Sequence, residues 1–259
     1  MLYREIAPVS KQAWNEINSR AEEVLKSYLS ARKLVYVDGP KGLDFNVITE
    51  GRLGDIEISE GVEYGSYQVA PLTETRVEFE LDRIELDNVL RGAKDVDYEP
   101  LEEAMKKIAL FEENAIYNGL ENSIKGLNEY VEDDIAFGDN PNAIIKSITK
   151  GLIQLRKAFE QGPYTLVVNE EAYTRIVSKE TAYPLDERIK ALIGGNIIYN
   201  HVIDGAYLLP YDHEDLELTI GRDFSIGYQS HSEEKVKFFA SESFTFRVLN
   251  PDLIVKFSL

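Results

Sequence analysis

Three histidines, His201, His213 and His231, are the first candidates for chemistry in this sequence, and none has a partner at a useful spacing. Zinc and di-iron sites on helices pair ligands at i, i+3 or i+4, and no H-E-x-x-H or Glu-x-x-His pair occurs. His213 stands among Asp212, Glu214 and Asp215, which reads as a solvated acidic turn. There is no cysteine, which excludes disulfides, thiolate zinc sites and thiol nucleophiles. Gly194-Gly195 and Gly221 do not extend into a phosphate-cradling G-x-G-x-x-G or P-loop pattern, and no G-x-S-x-G elbow is present. Carboxylates total 46, so adjacent pairs such as Glu112-Glu113, Asp133-Asp134 and Glu233-Glu234 arise by chance and carry no signal of paired acid–base work. Glu112 and Glu113 are expected on a solvated helix face. No catalytic residue and no metal ligand is expected.

The same carboxylates set the charge. Against 28 Lys and Arg they leave a formal net charge of -18, a surface that repels phosphate backbones, so no nucleic-acid partner is expected. The first ten residues lack the apolar core of a signal peptide, and no stretch approaches the roughly 20 apolar residues of a membrane span. A cytoplasmic protein without a membrane partner is the expectation. Tyrosines concentrate in turn-rich regions (Tyr64, Tyr67, Tyr98, Tyr183, Tyr211, Tyr228), and tyrosine suits protein–protein contacts because a large ring carries a polar tip.

The elements that would position any site follow from periodicity. Residues 10–32 predict an amphipathic helix: Ser10 is the N-cap, and Trp14, Ile17, Ala21, Val24, Leu25 and Tyr28 share one stripe. A strand at 34–37 closes on the turn Asp38-Gly39-Pro40-Lys41-Gly42. Residues 47–71 are spaced by Gly51, Gly54, Gly61 and Gly65 into short alternating pieces, none able to build a core. Such a segment reads as a projecting hairpin or long loop that needs another surface to rest on. A half-buried strand at 76–81 and a helix at 100–117 follow, the latter burying Leu101, Met105, Ile108, Phe111, Ala115 and Ile116. Residues 141–159 predict another helix, 164–168 a strand buried on both faces, 170–178 and 184–192 two short helices, and the remainder is strand-rich. The order is α+β rather than a βαβ repeat, and predicts one interleaved unit with two or more lobes.

Several segments, in order along nearly the whole chain, resemble the encapsulin family, shell proteins related to tailed-phage major capsid proteins. They are Ala31-Arg32-Lys33-Leu34-Val35 with Asp38-Gly39-Pro40, Phe79-Glu80-Leu81-Asp82-Arg83-Ile84-Glu85-Leu86-Asp87-Asn88, Gly162-Pro163-Tyr164-Thr165-Leu166-Val167, Tyr183-Pro184-Leu185, Asp223-Phe224-Ser225-Ile226-Gly227-Tyr228 and Glu242-Ser243-Phe244-Thr245-Phe246-Arg247-Val248. The resemblance implies the tailed-phage capsid fold, with a peripheral domain, an axial domain and an extended loop, plus an N-terminal amphipathic helix. It divides the chain into 1–46 (helix and start of the peripheral domain), 47–71 (extended loop), 72–139 (peripheral domain with its spine helix), 140–200 (most of the axial domain) and 201–259 (strands returning to the peripheral domain).

It also implies a function and sites. The subunit would assemble with copies of itself into a hollow icosahedral shell and enclose a cargo enzyme through a short targeting peptide, with ferritin-like proteins and dye-decolourising peroxidases as the expected cargoes. Leu25, Leu29, Arg32 and Ile226 would wall the peptide groove, and Tyr36 stands where relatives often carry an acidic partner for Arg32. Arg32→Glu is therefore expected to lower cargo loading without harming assembly. Lys179, Glu180, Thr181, Ala182 and Tyr183 would line a pore at the five-fold axis. No flavin cofactor is expected, because Ile84 takes the place of the aromatic that some relatives use. The runner-up is a prophage major capsid protein, disfavoured because the chain opens directly on a docked helix rather than a scaffold-like region. A soluble carboxylate-dependent enzyme is the third reading.

Overall fold

The hydroxyl of Ser10 accepts from the Ala13 N–H at 3.1 Å, capping α1 (Lys11–Tyr28), which lays Ala13, Trp14, Ile17 and Ala21 into the core. The computed structural model describes residues 2–177 and 184–259, and the expected pore residues Lys179, Glu180, Thr181, Ala182 and Tyr183 lie outside them. After α1 a single 3-10 turn (Ala31–Lys33) leads into β1 (Val35–Asp38). The glycine-spaced segment is two nested antiparallel pairs: β2 (Val47–Leu53) pairs with β5 (Tyr67–Pro71), and between them in the chain β3 (Glu57–Ser59) pairs with β4 (Val62–Tyr64). Its apolar residues Leu53, Ile56, Ile58, Val62, Tyr64, Tyr67 and Val69 are all exposed within the chain. An arm of this kind has no core of its own.

β6 (Thr73–Asp82) alternates as its pattern requires, burying Phe79 and Leu81 and exposing Arg76, Glu78 and Glu80. It runs into α2 (Arg83–Arg91), stopped by Gly92 at a positive φ of 87°, and then into α3 (Glu99–Asn118) with Pro100 in its first turn. One expectation for α3 fails. Phe111 is 39% exposed, and Glu112 takes the inward place. The buried stripe steps Leu101, Met105, Ile108, Glu112, Ala115, the alternation of four and three that keeps side chains on one helix face; Phe111 lies one residue, about 100°, off it.

The second lobe is built from β7 (Ile135–Ala136), α4 (Pro141–Lys157), β8 (Tyr164–Val168), α5 (Glu170–Val177), α6 (Leu185–Ile193), β9 (Ile197–Tyr199) and β10 (Ala206–Pro210). The chain then returns through β11 (His213–Ile220), β12 (Ser225–His231) and β13 (Lys235–Val248) and ends in β14 (Val255–Ser258). β13 organises the first lobe's sheet: its earlier residues pair with β6 and β12, its later ones with β11, and β1 joins β11 in parallel. The second sheet runs β7-β14-β10-β8-β9, and β8 is buried along its whole length. Its middle strands, β10 and β14, come from the segment read as returning to the peripheral domain, because β10 is held antiparallel to β8 from Ala206 opposite Val168 to Pro210 opposite Tyr164. A buried cluster on each lobe is joined by a third, where Leu34, Tyr117, Leu216 and Phe244 meet Val167, Tyr207 and Leu209 of the second sheet. The lobes therefore share one core.

Gly227 shows how closely the first sheet packs. A Cβ there would sit 2.2 Å from the Phe239 ring, whose neighbour is the Arg76 guanidinium at 3.7 Å from its centroid. Gly227→Ala is expected to lower stability by about 1–3 kcal/mol through overpacking, read from urea unfolding. An unchanged midpoint would mean that the ring can move aside.

Candidate functional site

α1, the 3-10 turn behind it and the start of β12 enclose a cavity of about 340 Å³. Its walls include Ala21, Leu25, Leu29, Met105, Phe224 and Ile226, with the N-terminal residues Leu2 and Arg4 at one side. Leu2 is fixed there by β12, whose Tyr228 N–H donates to the Leu2 carbonyl at 2.8 Å. Four residues expected from the sequence, Leu25, Leu29, Arg32 and Ile226, thus meet in one place although 201 positions separate the first from the last in number (226 minus 25). Tyr36 does not join them. It lies on β1 opposite Glu217, outside the cavity.

Arg32 is tied to the protein itself. Its Nε donates to Glu112 Oε1 at 2.9 Å, its Nη2 to Glu112 Oε2 at 2.6 Å and also to Glu242 Oε1, and its Nη1 to Asp223 Oδ1 at 2.8 Å. The guanidinium also lies 4.5 Å from the centroid of the Phe224 ring. Glu112 and Glu242 are completely buried, whereas the Asp223 side chain is half exposed. Burial works against the Arg32 charge, but the Glu112 hydrogen bond and the surrounding carboxylates outweigh it and raise the pKa further. Glu242 is pushed well above the usual carboxylate range, first by burial and then by the neighbouring Glu112. Its Oε2 is buried with no hydrogen-bond partner. Arg32 is thus held by two buried carboxyl groups, Glu112 through two of its nitrogens and Glu242 through one, of which burial and the neighbouring Glu112 favour the neutral form of Glu242.

One residue further along α3, Glu113 ties the groove to the second lobe. Its Oε1 accepts from the backbone N–H of Ser30 and of Ala31, both at 2.9 Å. Its Oε2 meets the Ser30 hydroxyl at 2.5 Å and accepts from Asn200 Nδ2 at 2.7 Å. Asn200 cannot turn away, since its Oδ1 accepts from Val202 and Ile203. Burial drives the Glu113 carboxyl up to about 7, against the pull of its hydrogen-bond donors. Sequence reasoning missed both glutamates. The signal was available in the stripe that leads from Met105 through Ile108 to residue 112, which is more regular than the one through Phe111.

His213, expected in a solvated turn, is partly covered and sits 3.2 Å from Glu160 through Nε2. Ile84 is exposed at the start of α2.

The fold defines a class. A virus-like particle subunit from Pyrococcus furiosus superposes with a TM-score of 0.66 at 18% identity, covering 94% of this chain and 98% of that one. The capsid protein of Myoviridae phage XM1 follows at 0.58 and 11%, covering 88% and 91%. This is the capsid fold. The family model described as encapsulating protein for peroxidase matches residues 1–245. Type 1 encapsulin shell proteins from Mycolicibacterium paratuberculosis and Rhodococcus erythropolis are 38% and 37% identical, over 95% and 98% of this chain and 94% and 98% of their own. The chain belongs to the encapsulin shell protein family. It is a structural shell subunit rather than an enzyme, and the phage-capsid alternative is not favoured.

Proposed function

We propose that the shell built from this subunit captures its cargo through a short apolar peptide seated in the cavity between α1 and β12. The observation that carries this reading is the convergence of Leu25, Leu29 and Ile226 on the apolar side of one concave, mixed surface beside Arg32. A shell with no chemistry of its own needs such an address on its wall, and an apolar groove supplies affinity through the area it removes from water. The extended arm, with its row of exposed apolar residues, would lie across a neighbouring subunit, since nothing in its own chain covers it. Closed symmetry would then repeat that contact around the particle.

A peroxidase is the cargo class that the family description supports. A ferritin-like protein is the second, since one relative, from Pyrococcus furiosus, is a ferritin-like–encapsulin shell fusion 23% identical over 76% of this chain. The cytoplasm is the setting of this reading, which a cysteine-free chain suits.

The test is Leu25→Asp. Leu25 is only half-buried, so the charge leaves the core intact while it desolvates poorly against an apolar ligand. Shells of normal size with cargo loading reduced at least about tenfold are expected, since burying an uncompensated polar group costs about 1–3 kcal/mol or more. Size-exclusion chromatography with quantitation of co-purifying cargo measures both. Full loading in intact shells would remove this groove from the reading.

A further inference from the structure

Resting on the groove reading, the charges around the cavity define the ligand's chemistry more narrowly. Arg32, the cation that the resemblance would offer to a ligand, already gives four of its five N–H donors to Glu112, Glu242 and Asp223. Glu22 is bound to Lys26. Arg4 is different. Among the described residues it has no carboxylate partner: its Nη2 donates to Asn18 Oδ1, its guanidinium lies 4.1 Å from the Trp14 ring centroid, and its Nε is buried without a hydrogen bond. Asn18 and the Trp14 ring hold the planar fork in place at the cavity wall, and the tie between Leu2 and Tyr228 holds the segment that carries it. A fixed, incompletely satisfied guanidinium beside an apolar wall is a carboxylate receptor, because Arg offers parallel N–H donors in the geometry a carboxylate accepts.

We propose that Arg4 receives a carboxylate of the bound segment, so that the groove selects an apolar peptide carrying one negative charge at a set distance from its apolar anchor. The carboxylate is either an acidic side chain or the peptide's own C-terminus. Arg32 is then a positioning residue, shaping the wall through Glu112 and Asp223 without touching the ligand's charge.

Three fluorescein-labelled decapeptides with one common leucine-rich core separate these cases. The first carries an aspartate and an amidated end, the second asparagine in its place with a free terminal carboxylate, and the third asparagine with an amidated end. Full-length subunits are dissociated and reassembled in the presence of each, and the peptide retained per subunit is titrated. One of the two charged peptides is expected to bind about tenfold more tightly than the neutral one, the strength of a charge-assisted hydrogen bond. The better of the two identifies the source of the carboxylate. Arg4→Gln is expected to level the three, and Arg4→Lys, which keeps the charge but loses the fork, to retain part of the preference.

Equal binding of all three to the wild type would overturn the role of Arg4 and leave the groove reading standing. Binding of all three that is indifferent to Leu25→Asp, or no binding at all, would bring down the groove reading and this inference with it. The comparison within the wild type decides the matter even if Arg4→Gln reassembles poorly.

Discussion

Glu113→Ala is expected to remove about 3–5 kcal/mol of subunit stability, a large part of what a domain of ordinary stability has. The loss is not that of one bond. With the carboxyl gone, the Ser30 and Ala31 N–H groups are left buried and unpaired and Asn200 Nδ2 keeps only the Ser30 hydroxyl, and each unpaired group costs about 1–3 kcal/mol. These donors come from the end of α1, from the 3-10 turn and from the second lobe, so the cut falls where the lobes share their core. Trp14 is the only tryptophan and is buried edge-on to Phe238 at 5.4 Å, so its fluorescence during urea unfolding of dissociated subunits reads the first lobe directly. A midpoint close to the wild type would mean that water takes over the carboxyl's role.

The same residue gives stability a pH dependence whose sign follows from its raised pKa. The unfolded value is about 4.5 and the folded value about 7, so between them the native state holds a proton that the unfolded chain has released. Its contribution is complete below about pH 4.5 and is lost as pH rises to about 7. At most about 3 kcal/mol changes over that window, at 1.36 kcal/mol per pH unit. Glu113→Gln removes the titrating proton and should flatten this slope. It also lowers the overall level, because the new amide turns donors toward Asn200 and the Ser30 hydroxyl, which already points a donor at the carboxyl.

How much of this was legible beforehand depends on where the physics is local. α1 could be read from Ser10 and a single apolar stripe, and β6 and β8 from alternation and from an unbroken apolar run, because those patterns state directly which face is buried. The arm at 47–71 could be recognised by what it lacked. Wall residues of the groove came from resemblance alone: no periodicity connects Leu25 with Ile226, which meet because α1 packs on α3, α3 on β13, and β13 pairs with β12. α2 was not foreseen, since Ile84, Leu86 and Val89 make too short a pattern to separate a helix from the end of a strand. The largest miss was polar. A charged residue is solvated unless something distant compensates it, and the partners of Glu112 and Glu113 lie 80 to 87 positions away along the chain. Resemblance left Arg32 without a charge partner, since Tyr36 stands where relatives often carry an acid, and three carboxylates from α3, β13 and the turn before β12 surround it.

Those partners reverse the expectation for Arg32→Glu. On resemblance alone the substitution should spare assembly and spoil cargo loading. In the structure it would place a further carboxylate against Glu112 and Glu242, both fully buried, and withdraw the cation that compensates Glu112. Removing one partner of a buried ion pair costs about 3–5 kcal/mol, and reversing its sign adds repulsion between like charges. Few or no shells are therefore expected from Arg32→Glu at neutral pH, by size-exclusion chromatography and electron microscopy. Arg32→Ala should be less severe, because it withdraws the cation without adding a further carboxylate beside Glu112 and Glu242. A combined Arg32→Met, Glu112→Leu, Glu242→Leu variant removes the whole buried set and should assemble better than either single change, as apolar replacements of buried ion pairs often match or exceed the original stability. Normal shells from Arg32→Glu, melting at the wild-type temperature, would show that the guanidinium is not needed where it lies. In that case Arg32 would become available to a ligand, and the carboxylate assigned to Arg4 would have a rival receptor in the same groove.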